Sequence, residues 1–211
     1  MCYSAESSLT AFIVGGFSGL YLLCKSKNPT NRYIGLFFIA VNLMQLVEYL
    51  MWIDQDCGAI NDFASRMAVP VLAIQLFTII FGAYIFNVLY VPDTLLKSGS
   101  VIMLFYTIYI LYDQFYNNND TWCSKPNEDN SLQWANHEKI KGDISGYFYY
   151  AIFLSAPLLM KNRVKGFFLL LFGIVSWLYT RYENWNTSNS RWCYYSAFTP
   201  LFFIIVEKMK F

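Results

Sequence analysis

The chain has 211 residues, of which 56% are apolar, 20% aromatic and only 14% charged, with a mean hydropathy of +0.35. A soluble domain carries about a quarter charged residues, so this composition excludes an ordinary water-soluble fold and fits a chain solvated by lipid, where aromatic rings collect near the head groups. The formal net charge of +1 leaves no basic stripe for a phosphate backbone and excludes nucleic acid as a partner.

A helix that crosses a bilayer needs roughly 20 mostly apolar residues. In chain order the apolar runs are Leu9–Cys24, Tyr33–Ile53, Met67–Val91, Val101–Tyr116, Gly146–Met160, Gly166–Tyr182 and Trp192–Val206. They predict an all-α bundle of seven transmembrane helices, in one domain over residues 1–211. The first, fourth, fifth and seventh runs are shorter than the rule, and Met67–Val91 is long enough to tilt. The leader "MCYSAESS" carries Glu6 and no basic residue, which reads as the start of a retained helix, not a cleaved signal. Ser4 or Ser7 is placed to cap that helix, and Glu6 to complement its positive end. Residues 117–145 form the one sizeable polar segment, with Trp122, Trp134 and the lone His137. Loops of that length are uncommon unless functional or disordered, and this one reads as a cap. His137 there reads as a solvated or hydrogen-bonded side chain. Pro70, Pro157 and Pro200 are expected to kink or start helices.

Seven spans divide the fifteen Lys and Arg between two sides. Lys25, Lys27, Arg32, Lys97, Lys161, Arg163, Lys165, Lys208 and Lys210 fall on one, and Arg66, Lys125, Lys139, Lys141, Arg181 and Arg191 on the other. The richer side is cytoplasmic by the positive-inside rule, which puts the N-terminus outside and the C-terminus inside. Cys2, Cys57, Cys123 and Cys193 fall on the outer side, where an oxidising compartment favours two disulfides, with three connectivities open. The expected pairs are Cys2–Cys193, which would close the bundle, and Cys57–Cys123, which would pin the polar loop. The alternative is unpaired, buried cysteines. The sequons at Asn119 and Asn186 lie on the same side and are candidate glycosylation sites.

In the second run, Asn42, Gln45 and Glu48 recur at steps of three and Trp52 follows, so a helical period gathers them on one face. At 1.5 Å per residue Glu48 lies about 7 Å inside the outer end of its span. An ionised carboxylate at a helix centre costs about 2.5–3.5 kcal/mol on insertion scales, so Glu48 is protonated, paired or faces a wet cavity. Gln75 and Asn87 of the third run, Ser176 and Trp177 of the sixth, tyrosines, and Arg66, Arg181 or Arg191 at outer helix ends are its candidate partners. The functional reading is an outward polar pocket made by Glu48, Gln45, Asn42, Gln75, Glu6 and Trp52, holding a proton, a cation or a small polar solute in a channel, transporter or sensor. One alternative is a structural or assembly protein of an organelle or viral membrane, whose polar groups form interhelical hydrogen bonds of about 0.6 kcal/mol each. Another is a membrane enzyme that uses Cys2 or Glu48. One histidine and no CxxC or HxxxH spacing give no metal site, and no cofactor is implied. A retinal protein would need a lysine within the last span, and Lys208 comes at its end. The membrane is read as plasma, secretory-pathway or viral.

Three pieces, "MCYSAESS", "LMQLVEYLMW" and "SRWCYYSAF", together resemble an uncharacterised, mostly bacterial family of polytopic membrane proteins. Its chains begin MCFSAEAS-like, continue with a QQxxEGxxW-like helix and end near a WCFxAA-like segment. The resemblance falls on Cys2, Ser4, Ala5, Glu6, Gln45, Glu48, Trp52, Trp192 and Cys193. Tyr3 stands for Phe, Met44 for the first Gln, and Tyr49 for the small Gly. The resemblance brings no activity; it implies that these pieces form one outer-side unit.

Overall fold

The computed structural model describes residues 4–117, 120–128, 130–135, 144–183 and 187–208, with 144–148 as backbone only. Their secondary structure is helical apart from a hairpin of two two-residue strands. Helix α1 (Ala5–Lys25) is capped by Ser4, whose Oγ accepts the Ser7 N–H at 3.2 Å. Helix α2 (Pro29–Trp52) starts with proline at its first position, which needs no N–H there, and Asn28 Oδ1 accepts the N–H groups of Thr30 and Asn31. Helix α3 (Ala59–Phe86) runs unbroken through Pro70 and ends on Asn87 in the left-handed region, φ 49°. Helix α4 (Asp93–Tyr112) continues into a π-helical turn, Asp113–Asn117. Strands β1 (Lys125–Pro126) and β2 (Leu132–Gln133) pair antiparallel within the polar segment. Helices α5 (Ile144–Leu158), α6 (Arg163–Glu183), α7 (Ser188–Ala197) and α8 (Thr199–Lys208) follow.

Helices α1, α2, α3, α4 with its π-helical turn, and α6 are long and apolar enough to cross a membrane. Two of the expected seven runs differ. The fifth is a 15-residue helix that carries Pro157 in its last turn. The last run divides at Phe198 into two ten-residue helices. Pro200 is the cause: it has no N–H to offer the carbonyl of Ser196, so the helical ladder is interrupted and restarts. Leu201 and Phe202 take up the carbonyl of Phe198 instead. Several expected boundaries also move outward, because caps and charged flanks extend helices beyond their apolar centres: α1 begins at Ala5, not Leu9, and α4 at Asp93, not Val101.

Helix α2 is the axis of the bundle, with α1, α3, α7 and α8 packed around it. Its approach to α1 is set by glycines. A Cβ on Gly35 would lie 2.6 Å from the Gly19 carbonyl oxygen, and one on Gly15 would lie 2.2 Å from Asn42 Oδ1 and 2.3 Å from the Ala197 carbonyl oxygen. Small residues let two backbones touch where lipid supplies no hydrophobic drive between helices. Helix α3 carries α4 on its far side, and α5 leans on α3 and α6. One apolar cluster includes Phe37, Phe38, Val41, Leu76, Ile79, Phe153 and Trp192. A second, nearer the polar segment, includes Met44, Val47, Met51, Ala64, Ala68, Val71, Leu132, Trp134 and Cys193. The residues facing away from these clusters on α4 and α6 are large and exposed, among them Phe105, Ile108, Phe167 and Val175.

At the end opposite the polar segment the connections tie to each other. The backbone from Val88 to Tyr90 bridges the backbone from Leu159 to Lys161 through two 2.8 Å hydrogen bonds. Arg32 lies 5.0 Å over the ring of Phe86 and Arg163 4.9 Å over that of Tyr90. Ser26 donates to Glu207, which joins the α1–α2 connection to the end of α8.

The glycine contacts give a paired test. Gly15→Val is expected to destabilise the protein by about 3 kcal/mol, the upper range for overpacking. Gly16→Ala, with open space around its position, is expected to be neutral or to gain up to about 1 kcal/mol of helix propensity. Thermal unfolding of both variants in one detergent checks the difference.

Candidate functional site

The site is assembled where the polar segment meets the ends of α2 and α3. The turn between those helices is shaped by Asp54. Gly58 occupies the N-cap of α3 and offers no side chain, so the Asp54 carboxylate does the capping from outside the helix. Its Oδ1 accepts the Gly58 N–H, and its Oδ2 accepts those of Ile60 and Asn61, all at 3.0 Å. The Asn61 N–H bond chiefly holds the Asp54 carboxyl below its ordinary range, with those of Gly58 and Ile60 adding to it against a smaller opposing effect of burial. Cys57, in the left-handed region at φ 63°, turns the chain and is disulfide-bonded to Cys123, with Cα atoms 5.3 Å apart. The expected Cys57–Cys123 pair is therefore present.

Asn61 fastens the polar segment to the bundle. Fully buried, its Nδ2 lies 2.9–3.1 Å from the carbonyl oxygens of Met51, Asp54 and Ser124, while its Oδ1 accepts from the Ser124 N–H and the Ser65 hydroxyl. The Ser65 and Ser124 hydroxyls meet at 2.7 Å, and Ser124 Oγ accepts the Ala135 N–H. Next to it, Asp62 accepts from Arg66 at 2.9 Å and from the Trp122 N–H at 2.7 Å. Arg66 also donates to the carbonyls of Gln114, in the π-helical turn, and Asp120.

This anchoring delivers Trp134 to Glu48. The carboxylate is 0% exposed; Oε2 accepts from Gln45 Nε2 at 2.8 Å and Oε1 from the indole N–H of Trp134 at 3.0 Å. Asn42, one turn deeper than Gln45, donates to the Phe38 carbonyl at 2.7 Å. Gln75 Oε1 accepts from the hydroxyl of Tyr149 at 2.5 Å. Met44, Met51, Ala64 and Val71 share one apolar cluster between α2 and α3, and Gln75 lies one turn beyond Val71 on α3. Three amide atoms, Asn42 Oδ1 and Gln45 Oε1 on α2 and Gln75 Nε2 on α3, are buried with no hydrogen-bond partner among the described residues, as is Trp52 Nε1. A cleft of about 70 Å³ adjoins the cluster, lined in part by Trp134, Tyr149, Tyr150, Trp192 and Cys193.

The sequence-derived candidates thus divide. Asn42, Gln45 and Glu48 are buried on α2, Gln75 is buried on α3 with Tyr149 as its partner, and Trp52 packs against the apolar cluster at the end of α2. Glu6 is exposed in the first turn of α1, where it complements the helix dipole. The expected Cys2–Cys193 pair is corrected at one end: Cys193 is a buried free thiol packed with Met44, Val47 and Trp134. Its side chain fills apolar space, as free cysteines commonly do; Cys2 lies outside the described residues. So do Asn119, Asn186 and His137. The arginines expected near Glu48 turn elsewhere: Arg66 to the polar segment, Arg191 to Glu183 at 2.8 Å and to Ser131, and Arg181 over the ring of Trp177. Asn61, Asp54 and Trp134 were not among the candidates. The "DQDCGAIND" turn carried a signal for the first two, since aspartate and asparagine beside glycine favour turns and caps; the partnership of Trp134 with Glu48 spans 86 residues and left none.

Among the described residues no group of three or more His, Cys, Asp or Glu is arranged to hold a metal ion. A buried carboxyl group between two neutral donors can store a proton or balance a cation. Comparison of the chain with protein-family models, curated proteins and solved structures finds no match.

Asn61→Ala removes several buried hydrogen bonds at once and leaves the backbone of Ser124 unsatisfied, so it is expected to cost on the order of 3 kcal/mol, read as a lower midpoint in chemical or thermal unfolding. Asp54 predicts a pH dependence. Its folded-state pKa lies below the unfolded value, so its contribution is full above the ordinary carboxyl range, roughly pH 4. That contribution falls away as pH drops through the lowered folded value. Asp54→Asn should therefore flatten the acid side of the stability–pH curve while changing its shape little near pH 7, as measured by melting temperature across a pH series.

Proposed function

We propose that the chain is a multi-pass integral membrane protein with a capped intramembrane site for a proton, a cation or a small polar solute, centred on Glu48. The observation that carries this reading is the full burial of Glu48 beneath Trp134, a residue of a segment that is anchored independently of it. The Cys57–Cys123 disulfide, the Asn61 hydrogen bonds and the Arg66 contacts already hold that segment down. A carboxylate is not needed as glue there, and a neutral acceptor would serve Trp134 as well. The unpartnered amide atoms of Asn42, Gln45 and Gln75 point the same way. Each such group costs about 1–3 kcal/mol, and a half-satisfied network is poor structural material. In this reading Trp134 is the lid.

The α7–α8 pair serves as the last, broken span. Among the described residues, Lys25, Lys27, Arg32, Lys97, Lys161, Arg163, Lys165 and Lys208 belong to the helix ends and connections away from the polar segment, which supports a cytoplasmic C-terminus and an outward cap. A disulfide in the cap accords with an oxidising exterior. Plasma, secretory-pathway and viral membranes all fit. The second reading, a structural or assembly protein, is favoured by one observation: both oxygens of Glu48 accept hydrogen bonds.

A flux assay in liposomes across pH separates the two. For a transport site, Glu48→Gln is expected to lower flux by about tenfold or more, the scale of one lost charged interaction, and Trp134→Ala to raise it by uncovering the carboxylate. Background flux in wild type and both variants, with Trp134→Ala merely less stable, would eliminate transport and leave the structural role.

A further inference from the structure

We infer that the cleft beside Glu48 is an aromatic cage for a small organic ammonium ion, an inference that rests on the site reading above and names its ligand class. The cleft, about 70 Å³, lies where α3, α4, α5, α7 and the polar segment meet. Tyr106, Trp134, Tyr149, Tyr150 and Trp192 all contribute to its walls. For four of these rings the polar edge is already engaged. The Tyr149 hydroxyl donates to Gln75, that of Tyr150 to Asn189 at 3.0 Å, the Trp192 indole N–H to Ser176 at 3.0 Å, and the Trp134 indole N–H to Glu48. Tyr149 also stacks on Phe153, while Tyr150 meets Trp177 and Trp192 meets Phe153 at steep angles, so what these rings offer a guest is the remaining π surface, which is electronegative at the face. Tyr149 and Tyr150 stand at 86° to each other with centroids 5.5 Å apart, so they form two walls of a corner.

Such a lining discriminates. An anion meets electronegative π faces, with the Glu48 carboxylate behind the wall residue Trp134 adding to the repulsion. A hard metal cation would require about six oxygen ligands, and the cleft walls are mainly carbon. A neutral apolar guest would fit the walls but would gain nothing from Glu48. An ammonium ion with alkyl substituents gains from both: the ring faces attract it, and Glu48, hydrogen-bonded to the wall residue Trp134, supplies the counter-charge. The cleft exceeds the 10–15 Å³ or so that one water requires, which limits the guest to a few heavy atoms.

The test uses the full-length protein in nanodiscs and two probes of equal shape: choline and its neutral carbon isostere 3,3-dimethyl-1-butanol. Binding is read by intrinsic tryptophan fluorescence and by calorimetry at constant ionic strength. Choline is expected to bind about tenfold or more tightly than the isostere, the ratio that cation–π and charge attraction together supply. Tyr150→Leu should erase most of that ratio, Tyr150→Phe should keep it, and Glu48→Gln should weaken choline alone. Equal affinities for the two probes in wild type overturn the cage, and that comparison requires no variant to fold. Flux that depends on Glu48 without any preference for choline also overturns the cage while leaving the site. No dependence on Glu48 in either assay overturns both.

Discussion

A carboxyl group inside a bundle of apolar helices has to be covered and hydrogen-bonded, and the arrangement of this molecule turns on how Glu48 meets that requirement. Its neighbour Gln45 supplies one donor from the same helix, and the other comes from Trp134, far along the chain. To bring that indole within 3.0 Å, the polar segment has to be held in register against α2 and α3. Asn61, the Ser65–Ser124 hydroxyl pair, Arg66 and the disulfide perform that task. None of them touches Glu48 in the contacts described above. The division of labour is physically sensible, because a buried ion that also bore the load of docking could not change its charge or its partner without loosening the fold.

Much of this was legible in the sequence. Long apolar runs imply helices, because a backbone in lipid must satisfy its own hydrogen bonds, and the five longest helical segments match expected runs in place if not in their ends. The gathering of Asn42, Gln45 and Glu48 follows from helical periodicity alone. The side of the bundle put Cys57 and Cys123 among four candidates with three connectivities open, and the pair favoured for them is the one the structure holds. What could not be read arises from long-range contacts or from the difference between an apolar run and an unbroken helix. Pro200 splits the final run although every residue around it is suitably apolar. Cys193 looked like a disulfide partner by position, yet it is packed as a small apolar side chain. The "GGFSG" stretch, with Gly15 and Gly19 one turn apart, carried a packing signal that composition masks, since only the α2 backbone explains which glycine matters.

The two ends of the bundle are held by different chemistry. At the capped end the ties are the buried amide and hydroxyls of Asn61, Ser65 and Ser124, the partly exposed carboxylates of Asp54 and Asp62, and a covalent link. At the other end the connections meet through a short backbone bridge and through arginines laid over the partly buried ring of Phe86 and the exposed ring of Tyr90. Hydrogen bonds shielded from water are strong and sharply dependent on geometry, whereas exposed cation–ring contacts are worth less, about 0.5–1 kcal/mol. Stiffness is therefore concentrated around Asn61, and compliance at the far end.

The 86 residues between Glu48 and Trp134 also order events while the chain is being made. Synthesis proceeds from the N-terminus, so α2 exists well before the segment that will cover its carboxylate. During that interval Gln45, three residues away on the same helix, is the one partner certain to be present, and α1, α3 and α4 assemble beside an unlidded acid. Cys57 likewise waits for Cys123, 66 residues later. The local amide is thus the first of these two donors the carboxyl group meets, and the distant indole follows when the polar segment docks.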